Sequence, residues 1–190
     1  KKLFNNLKKK NFDVILTREP GGTKSAELIR NLILKDYFQK SIDEKFNRYT
    51  DTLLYLAARN EHVINKIKPA LRKNKIVICD RFVDSTIAYQ AYGKKVKLNF
   101  INEIHKIILG KLKPDITFVL KVSPKSSRKR LLKRRSKNRY DRFPQSFYNK
   151  VQKSFIRLSK NKKNYHILDS SKNDKSLEDL IFKSTLKYLK

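Results

Sequence analysis

Four short apolar runs punctuate the chain, each closed by a charge or a turn former: residues 13–17, 75–79, 115–120 and the shorter 165–168. Runs of this length, rich in Ile, Val, Leu and Phe, predict buried strands. Between them, apolar positions recur at helical spacing. Residues 24–37 carry Leu28, Ile29, Leu32 and Ile33, and residues 50–67 carry Leu53, Leu54, Leu56, Ala57, Val63, Ile64 and Ile67. Residues 98–109 and 176–189 follow the same period. Strands alternating with helices predict an α/β fold, a parallel sheet with helices on both faces. No stretch repeats and no linker divides the chain, so one domain over residues 1–190 is expected. In such a fold ligands bind beyond the carboxyl ends of the strands.

Composition adds a strong bias. The 190 residues hold 47 Lys and Arg against 17 Asp and Glu, a formal net charge of +30. Such a surplus attracts phosphate-bearing partners, from nucleotides to nucleic acid. It also fits solvated, lysine-rich surface positions. Residues 121–163 are distinctive, with 17 cations and a single acid, Asp141. The longest stretch without a formal charge, residues 85–93, is nine long, far below the roughly 18 that a membrane-spanning helix needs. One cysteine, Cys79, allows no intramolecular disulfide. A reducing, cytoplasmic setting is expected.

The strand ends hold the candidate chemistry. After the first run comes Thr17-Arg-Glu-Pro-Gly-Gly-Thr23, whose glycines let backbone approach a ligand at the start of a helix. After the second comes Asp80-Arg-Phe-Val-Asp-Ser-Thr86. A carboxylate following a buried run can hold Mg²⁺ through water, and the adjacent Arg81 can grip a phosphate; a plain surface ion pair is the simpler alternative. Tyr55 and Arg59, four apart on a helix, share one face and offer either a stacking ring beside a donor fork or ordinary packing. Ser85, Thr86, Tyr89 and Gln90 can read the polar edge of a small ligand. Arg128, Arg130, Arg134, Arg135, Arg139 and Arg142 repel one another unless an anion arrives, which suits a lid over a triphosphate, a solvated basic helix, or a nucleic-acid patch. His62, His105 and His166 lack ligand spacing with cysteine or acids, so zinc is not suggested, and Cys79 reads as a packed thiol.

Together, Thr17-Arg-Glu-Pro-Gly-Gly-Thr23, Leu54-Tyr-Leu-Ala-Ala-Arg59 and Asp80-Arg-Phe-Val-Asp-Ser-Thr-Ile-Ala-Tyr-Gln90 resemble the bacterial thymidylate kinase family in order and spacing. Leu112-Lys-Pro-Asp-Ile-Thr117 is similar to its approach to the next strand, and Asp169-Ser-Ser171 to its late loop near the adenine. The resemblance implies a nucleoside monophosphate kinase fold, transfer of the γ-phosphoryl of ATP to dTMP with Mg²⁺, and a cytoplasmic homodimer. By family match Tyr55 stands for a Phe that stacks on thymine, Arg59 reaches the thymine carbonyl, and Ser85, Thr86, Tyr89 and Gln90 complete the pocket. Glu19, Arg30 and Arg81 lie around the monophosphate and sugar, and Asp80 lies near the metal. Arg134 and Arg139 match the family's basic lid, expected at about residues 124–145, and Asp169 lies on the ATP side.

Two departures stand beside the match. In the lid, Asn138-Arg-Tyr-Asp141 replaces Asp-Arg-hydrophobic-Glu. The larger one is an absence: the sequence contains no G-x-x-x-x-G-K-[ST] phosphate loop, no methionine, and opens on Lys1 in what reads as the end of a helix. The expectation is that the strand and phosphate loop lie upstream of Lys1, and that the 190 residues alone are poorly active. A non-catalytic nucleic-acid-binding protein on the same sheet, and a kinase for another monophosphate, remain the competing readings.

Overall fold

The computed structural model describes residues 1–35, 37, 45–132, 138–172 and 174–189. Helix α1 (Lys2–Lys9) leads into β1 (Val14–Arg18), then α2 (Lys24–Leu34) and α3 (Arg48–His62). A π-helical turn (Val63–Ile67) and α4 (Lys68–Arg72) carry the chain into β2 (Ile76–Asp80). After β2 come α5 (Val83–Thr86), a second π-helical stretch (Ile87–Gly93), α6 (Leu98–Leu109) and β3 (Thr117–Lys121). Helix α7 (Pro124–Leu132), a 3₁₀ turn (Arg139–Arg142), α8 (Gln145–Ser159), β4 (Tyr165–Asp169) and α9 (Lys175–Leu189) complete the order.

The four predicted strands are present, each within two residues of its expected bounds. Their pairing differs from one continuous sheet. β1 runs parallel to β2 with Arg18 opposite Asp80, and β3 runs parallel to β4 with Lys121 opposite Asp169, as two separate two-stranded sheets. All four residues of the Ile76–Cys79 run are only half-buried, and Leu120 and Ile167 are exposed. Interior strands of a parallel sheet are apolar because both faces are covered; these carry that composition without the full cover. Asp84 of α5 faces Tyr165 of β4, and burial together with that carboxylate pushes the phenol up to about 12.

The core lies under the helices. Ile87, Ala91, Val96 and Ile101 form one cluster, Val63, Ile67 and Leu109 a second, and Ala88, Phe147 and Val151 a third. The helix expected at residues 24–37 ends at Leu34, and the one expected at 50–67 starts two residues earlier, capped by the Asn47 side chain on the Tyr49 amide at 2.9 Å. Helix α8 escaped the periodicity reading, because its buried Phe147, Val151 and Ser154 are embedded among glutamines, lysines and serines. The lid expected at 124–145 comprises α7, the 3₁₀ turn and, between them, Arg134 and its neighbours at 133–137, which lie outside the described residues.

Candidate active site

The ends of β1 and β2 sit side by side, because the Glu19 amide donates to the Asp80 carbonyl at 2.9 Å. This places the Arg-Glu-Pro-Gly-Gly loop against Asp80 and Arg81. The loop turns through a cis Glu19–Pro20 bond and two positive-φ glycines. Gly22, at φ +95°, has no room for a Cβ, which would meet Thr17 Oγ1 at 2.6 Å and the His62 ring at 2.7 Å. The Thr23 side chain then caps α2 on the Ala26 amide at 3.2 Å.

Glu27, on the first turn of α2, is a loop-holding residue that sequence reasoning missed. Its carboxylate accepts from the Gly22 amide at 2.9 Å and from Arg18 at 3.2 Å, and it lies 3.8 Å from Arg30. Partial burial raises its pKa, but the Gly22 amide and Arg18 outweigh it and hold the group below its ordinary value. Arg30 donates to the Pro20 carbonyl at 2.7 Å. The acidic first turn of a helix was the available signal.

Beneath the loop runs a buried ionic network. Both Nε and Nη2 of Arg59 bond Glu19 Oε2, at 2.8 and 2.6 Å, while Nη1 donates to Thr86 Oγ1 at 2.8 Å and to His105 Nε2 at 2.6 Å. His62 Nδ1 donates to Glu19 Oε1 at 3.0 Å, and its Nε2 meets the Thr17 hydroxyl at 2.6 Å. Burial alone would raise the Glu19 pKa; Arg59 and His62 together hold it low. Because a guanidinium only donates, His105 Nε2 must accept and its proton sits on Nδ1. That Nδ1 is buried without a partner among the described residues. Burial, reinforced by Arg59, drives the His105 pKa down to about 3.

Arg59, 3% exposed, thus spends most of its donors inside the protein, where sequence reasoning aimed them at a ligand carbonyl. Three-dimensional proximity brings one of the histidines, His62, beside an acid and the cysteine, although they are far apart in sequence. Among the described residues, Glu19, His62 and Cys79 bring possible ligand atoms within 4.8 Å of one another. The carboxylate is already paired with a guanidinium, and the Cys79 thiol, pushed up by burial and Glu19, hydrogen-bonds the Arg81 carbonyl at 3.1 Å. That is a packed, cation-filled cluster.

Arg81 follows β2 at φ +69°, a left-handed conformation that costs a non-glycine residue roughly 1–2 kcal/mol. Such an outlier at a strand end points to function. The residue as a whole is exposed, and its guanidinium lies 5.2 Å from the Tyr89 ring centre. Asp80 is exposed beside it. Tyr55 packs edge-on to Tyr140 at 6.2 Å, and Tyr89 does the same at 6.2 Å; burial pushes the Tyr55 phenol up to about 12. Gln90 is buried and Ser85 half-buried on the same helical stretch. Arg139 is paired with Asp51, away from Arg81's loop in sequence but on the same helix α3 as Tyr55 and Arg59.

The ends of β3 and β4 form a second polar centre. Asp169 Oδ1 accepts the Ser171 amide at 2.8 Å, which together with the Ser171 hydroxyl keeps its exposed carboxyl low. Arg130 of α7 donates to the Ser170 carbonyl at 2.5 Å, docking the arginine-rich helix on that loop.

Two parallel strand pairs ending in polar, charged loops, one braced by an aromatic face and the other adjoining a basic helix, make an α/β fold whose strand ends suit an anionic ligand. A family model described as thymidylate kinase matches residues 1–181. The chain is 46% identical to a thymidylate kinase of Wolbachia from Brugia malayi over 149 residues, 78% of this chain and 67% of that one. It is 38% identical to the thymidylate kinase of Mycoplasma capricolum, covering 100% of this chain and 88% of the relative. The solved thymidylate kinase structure from Ehrlichia chaffeensis superposes with a TM-score of 0.70 at 30% identity, covering 98% of this chain and 88% of that one. The chain belongs to the thymidylate kinase family, and so to the nucleotide-binding kinases of nucleotide biosynthesis. Among the described residues no helix is long and apolar enough to cross a membrane.

Proposed function

We propose that this protein transfers the γ-phosphoryl group of ATP to dTMP, giving dTDP and ADP, as a single domain over residues 1–190 with its lid at about 124–145. The observation that carries this is the convergence of three distant sequence motifs at one strand end. Glu19, Arg59 and Thr86 are joined by hydrogen bonds across the loop after β1, helix α3 and the helix after β2, beside the strained Arg81. In this reading Arg81 and Arg30 neutralise the dTMP phosphate, since a guanidinium fork matches phosphate oxygens. Tyr55 and Tyr89 supply aromatic surface for the pyrimidine, and Ser85, Thr86 and Gln90 supply its polar contacts. Arg59, held by Glu19, presents what donor capacity remains toward the base carbonyl. Arg134 and Arg139 belong to the lid that closes over ATP, and Asp169 lies on the adenine side.

Mg²⁺ fits one place. Asp80 offers hard carboxylate oxygens, exposed at a strand end, and a magnesium ion held through water needs little more from the protein. Bound there with the phosphates, the ion would neutralise charge on the transferring group. The thiol, imidazole and paired carboxylate around Cys79 do not suit it. The 190 residues contain no G-x-x-x-x-G-K-[ST] loop, so in this reading they have little activity alone. A homodimer would cover Leu28 and Leu32 of α2 and Leu53 of α3, which are exposed on adjoining helices. The cytoplasm, which supplies both ATP and dTMP, is the compartment this reading assigns.

The test is ADP release by the enzyme as its gene encodes it, with dTMP, dCMP, dGMP and AMP offered in turn. Saturable turnover on dTMP, at least tenfold above the others, supports the proposal. Tight, steeply salt-sensitive DNA binding without turnover on any monophosphate would replace it with a nucleic-acid-binding role.

A further inference from the structure

Helix α3 carries a third functional position besides Tyr55 and Arg59. Asp51, in its first turn, is 1% exposed. Spacings of four and eight residues put Asp51, Tyr55 and Arg59 on one face of the helix. The Asp51 carboxylate gathers partners from two other parts of the chain. Lys94 Nζ lies 2.7 Å from Oδ2, Tyr140 donates its hydroxyl to Oδ2 at 3.0 Å, and Arg139 pairs with Oδ1. Arg139 also donates through Nε to the Ile33 carbonyl at the end of α2. Lys94 bonds the Tyr140 hydroxyl at 3.0 Å and lies 4.6 Å from the centre of its ring.

The 3₁₀ turn that holds these partners is itself rigidly closed. Asn138 caps it on the Tyr140 amide at 2.9 Å, and the Asn138 amide returns a bond to Asp141 at 2.7 Å. A buried carboxylate must be paired to be tolerated, and removing one partner is costly. Asp51 is therefore a fixed negative point to which the arginine-rich segment is tied. The tie sets Tyr140, 7% exposed, against Tyr55, Tyr89 and, at 3.4 Å from its hydroxyl, Gln90.

We propose that Asp51 is a positioning residue of the kinase: it seats the lid's Arg139–Arg142 turn on the base-binding face of α3, so that Arg139 anchors the lid and Tyr140 walls the pocket beside Tyr55. This rests on the reading of Tyr55, Tyr89 and Gln90 as the base site, and it changes the role given to Arg139 from phosphate contact to anchor. Through Asp51, lid position and base-pocket shape become one arrangement.

The experiment uses the gene-encoded enzyme, with Asp51→Asn, Arg139→Gln and the double variant, and Tyr140→Phe as a variant that removes only one hydroxyl from the network. Two quantities are read: kcat/KM for dTMP, and deuterium uptake of peptides covering residues 138–148 with a bisubstrate analogue bound. Asp51→Asn is expected to lower kcat/KM about tenfold, and the double variant to be no worse than Arg139→Gln, because residues acting as one unit do not add. Uptake should rise in Asp51→Asn and, by less, in Tyr140→Phe. Multiplying effects in the double variant would overturn the anchor role, and so would unchanged uptake in both Asp51→Asn and Tyr140→Phe. A wild-type enzyme inactive on dTMP would instead defeat the substrate reading, while the uptake arm still decides whether Asp51 seats the turn.

Discussion

Arg59 shows how a residue's surroundings redefine its role. Sequence reasoning placed it on the same helix face as Tyr55, which is correct, and aimed it at a ligand; four hydrogen bonds to Glu19, Thr86 and His105 make it equally a structural pillar. Arg59→Ala leaves Glu19 buried beside His62 alone, so we expect a loss of about 3–5 kcal/mol of stability together with weaker dTMP binding than ATP binding. Denaturant unfolding and nucleotide titration read the two effects; full stability with dTMP and ATP weakened equally would contradict both. Arg81 predicts the opposite balance. In the proposed function Arg81→Gly removes a phosphate-binding guanidinium, and it relieves the positive φ, so turnover should collapse while stability holds or rises by about 1 kcal/mol. Lower stability with unchanged turnover would make the residue structural.

His105 gives a pH prediction. Its folded pKa is depressed to about 3, so the unfolded chain takes up the proton first as pH falls through the ordinary histidine value near 6.5. Stability present above that value is lost on acidification toward 3, by about 2 kcal/mol between pH 7 and pH 5 from this group. Glu19, held low, contributes its own loss only below its ordinary value near 4.5. His105→Gln should therefore flatten the pH 7 to 5 slope of the unfolding free energy; an unchanged slope would rule out His105 as its source.

Among elements, the legible ones were those whose burial dominates composition. β1 and β2 are apolar runs found within one residue of their expected bounds; α3, which repeats its apolar positions over four turns, starts two residues early and ends at His62, five residues before the expected end, giving way to the π-helical turn. Helix α8 buries Phe147, Val151 and Ser154 at helical spacing, yet its charge hid the pattern. The loop after β1 was recognised by its glycines, but Glu27, His62 and Asp51 were not, because their partners lie from five to 89 residues away in the chain. That loop is also tightly constrained. Gly22→Ala forces a Cβ into Thr17 and His62 at a positive φ, and should cost about 1–3 kcal/mol and raise the KM for dTMP more than that for ATP. Thermal unfolding and steady-state kinetics check both; a tolerated alanine would mean the loop can shift away from His62.

At the scale of the whole molecule, the alternation of strands and helices was legible, while the pairing was not. Half-buried Ile76 to Cys79 and exposed Leu120 leave apolar strand surface that a continuous parallel sheet would cover. Residues 1–190 expressed alone should bind dTMP weakly and release little ADP, since amides of a phosphate loop contribute on the order of 3 kcal/mol each to transition-state stabilisation. Brisk turnover by that polypeptide would show that its own loops supply the phosphate cradle. The charge of +30 is spread widely; within the basic segment Arg130 of α7 reaches the loop after β4, and Arg139 of the 3₁₀ turn reaches Asp51 on α3.

The central claim, that the β1 and β2 ends with α3 form a dTMP site, is tested most directly by a crystal structure of the gene-encoded enzyme with dTMP. The account predicts the phosphate within hydrogen-bond distance of Arg81 and the thymine ring against Tyr55, with the Asp51–Tyr140 contact retained. A nucleotide bound elsewhere, with Arg81 and Tyr55 both untouched, would contradict it.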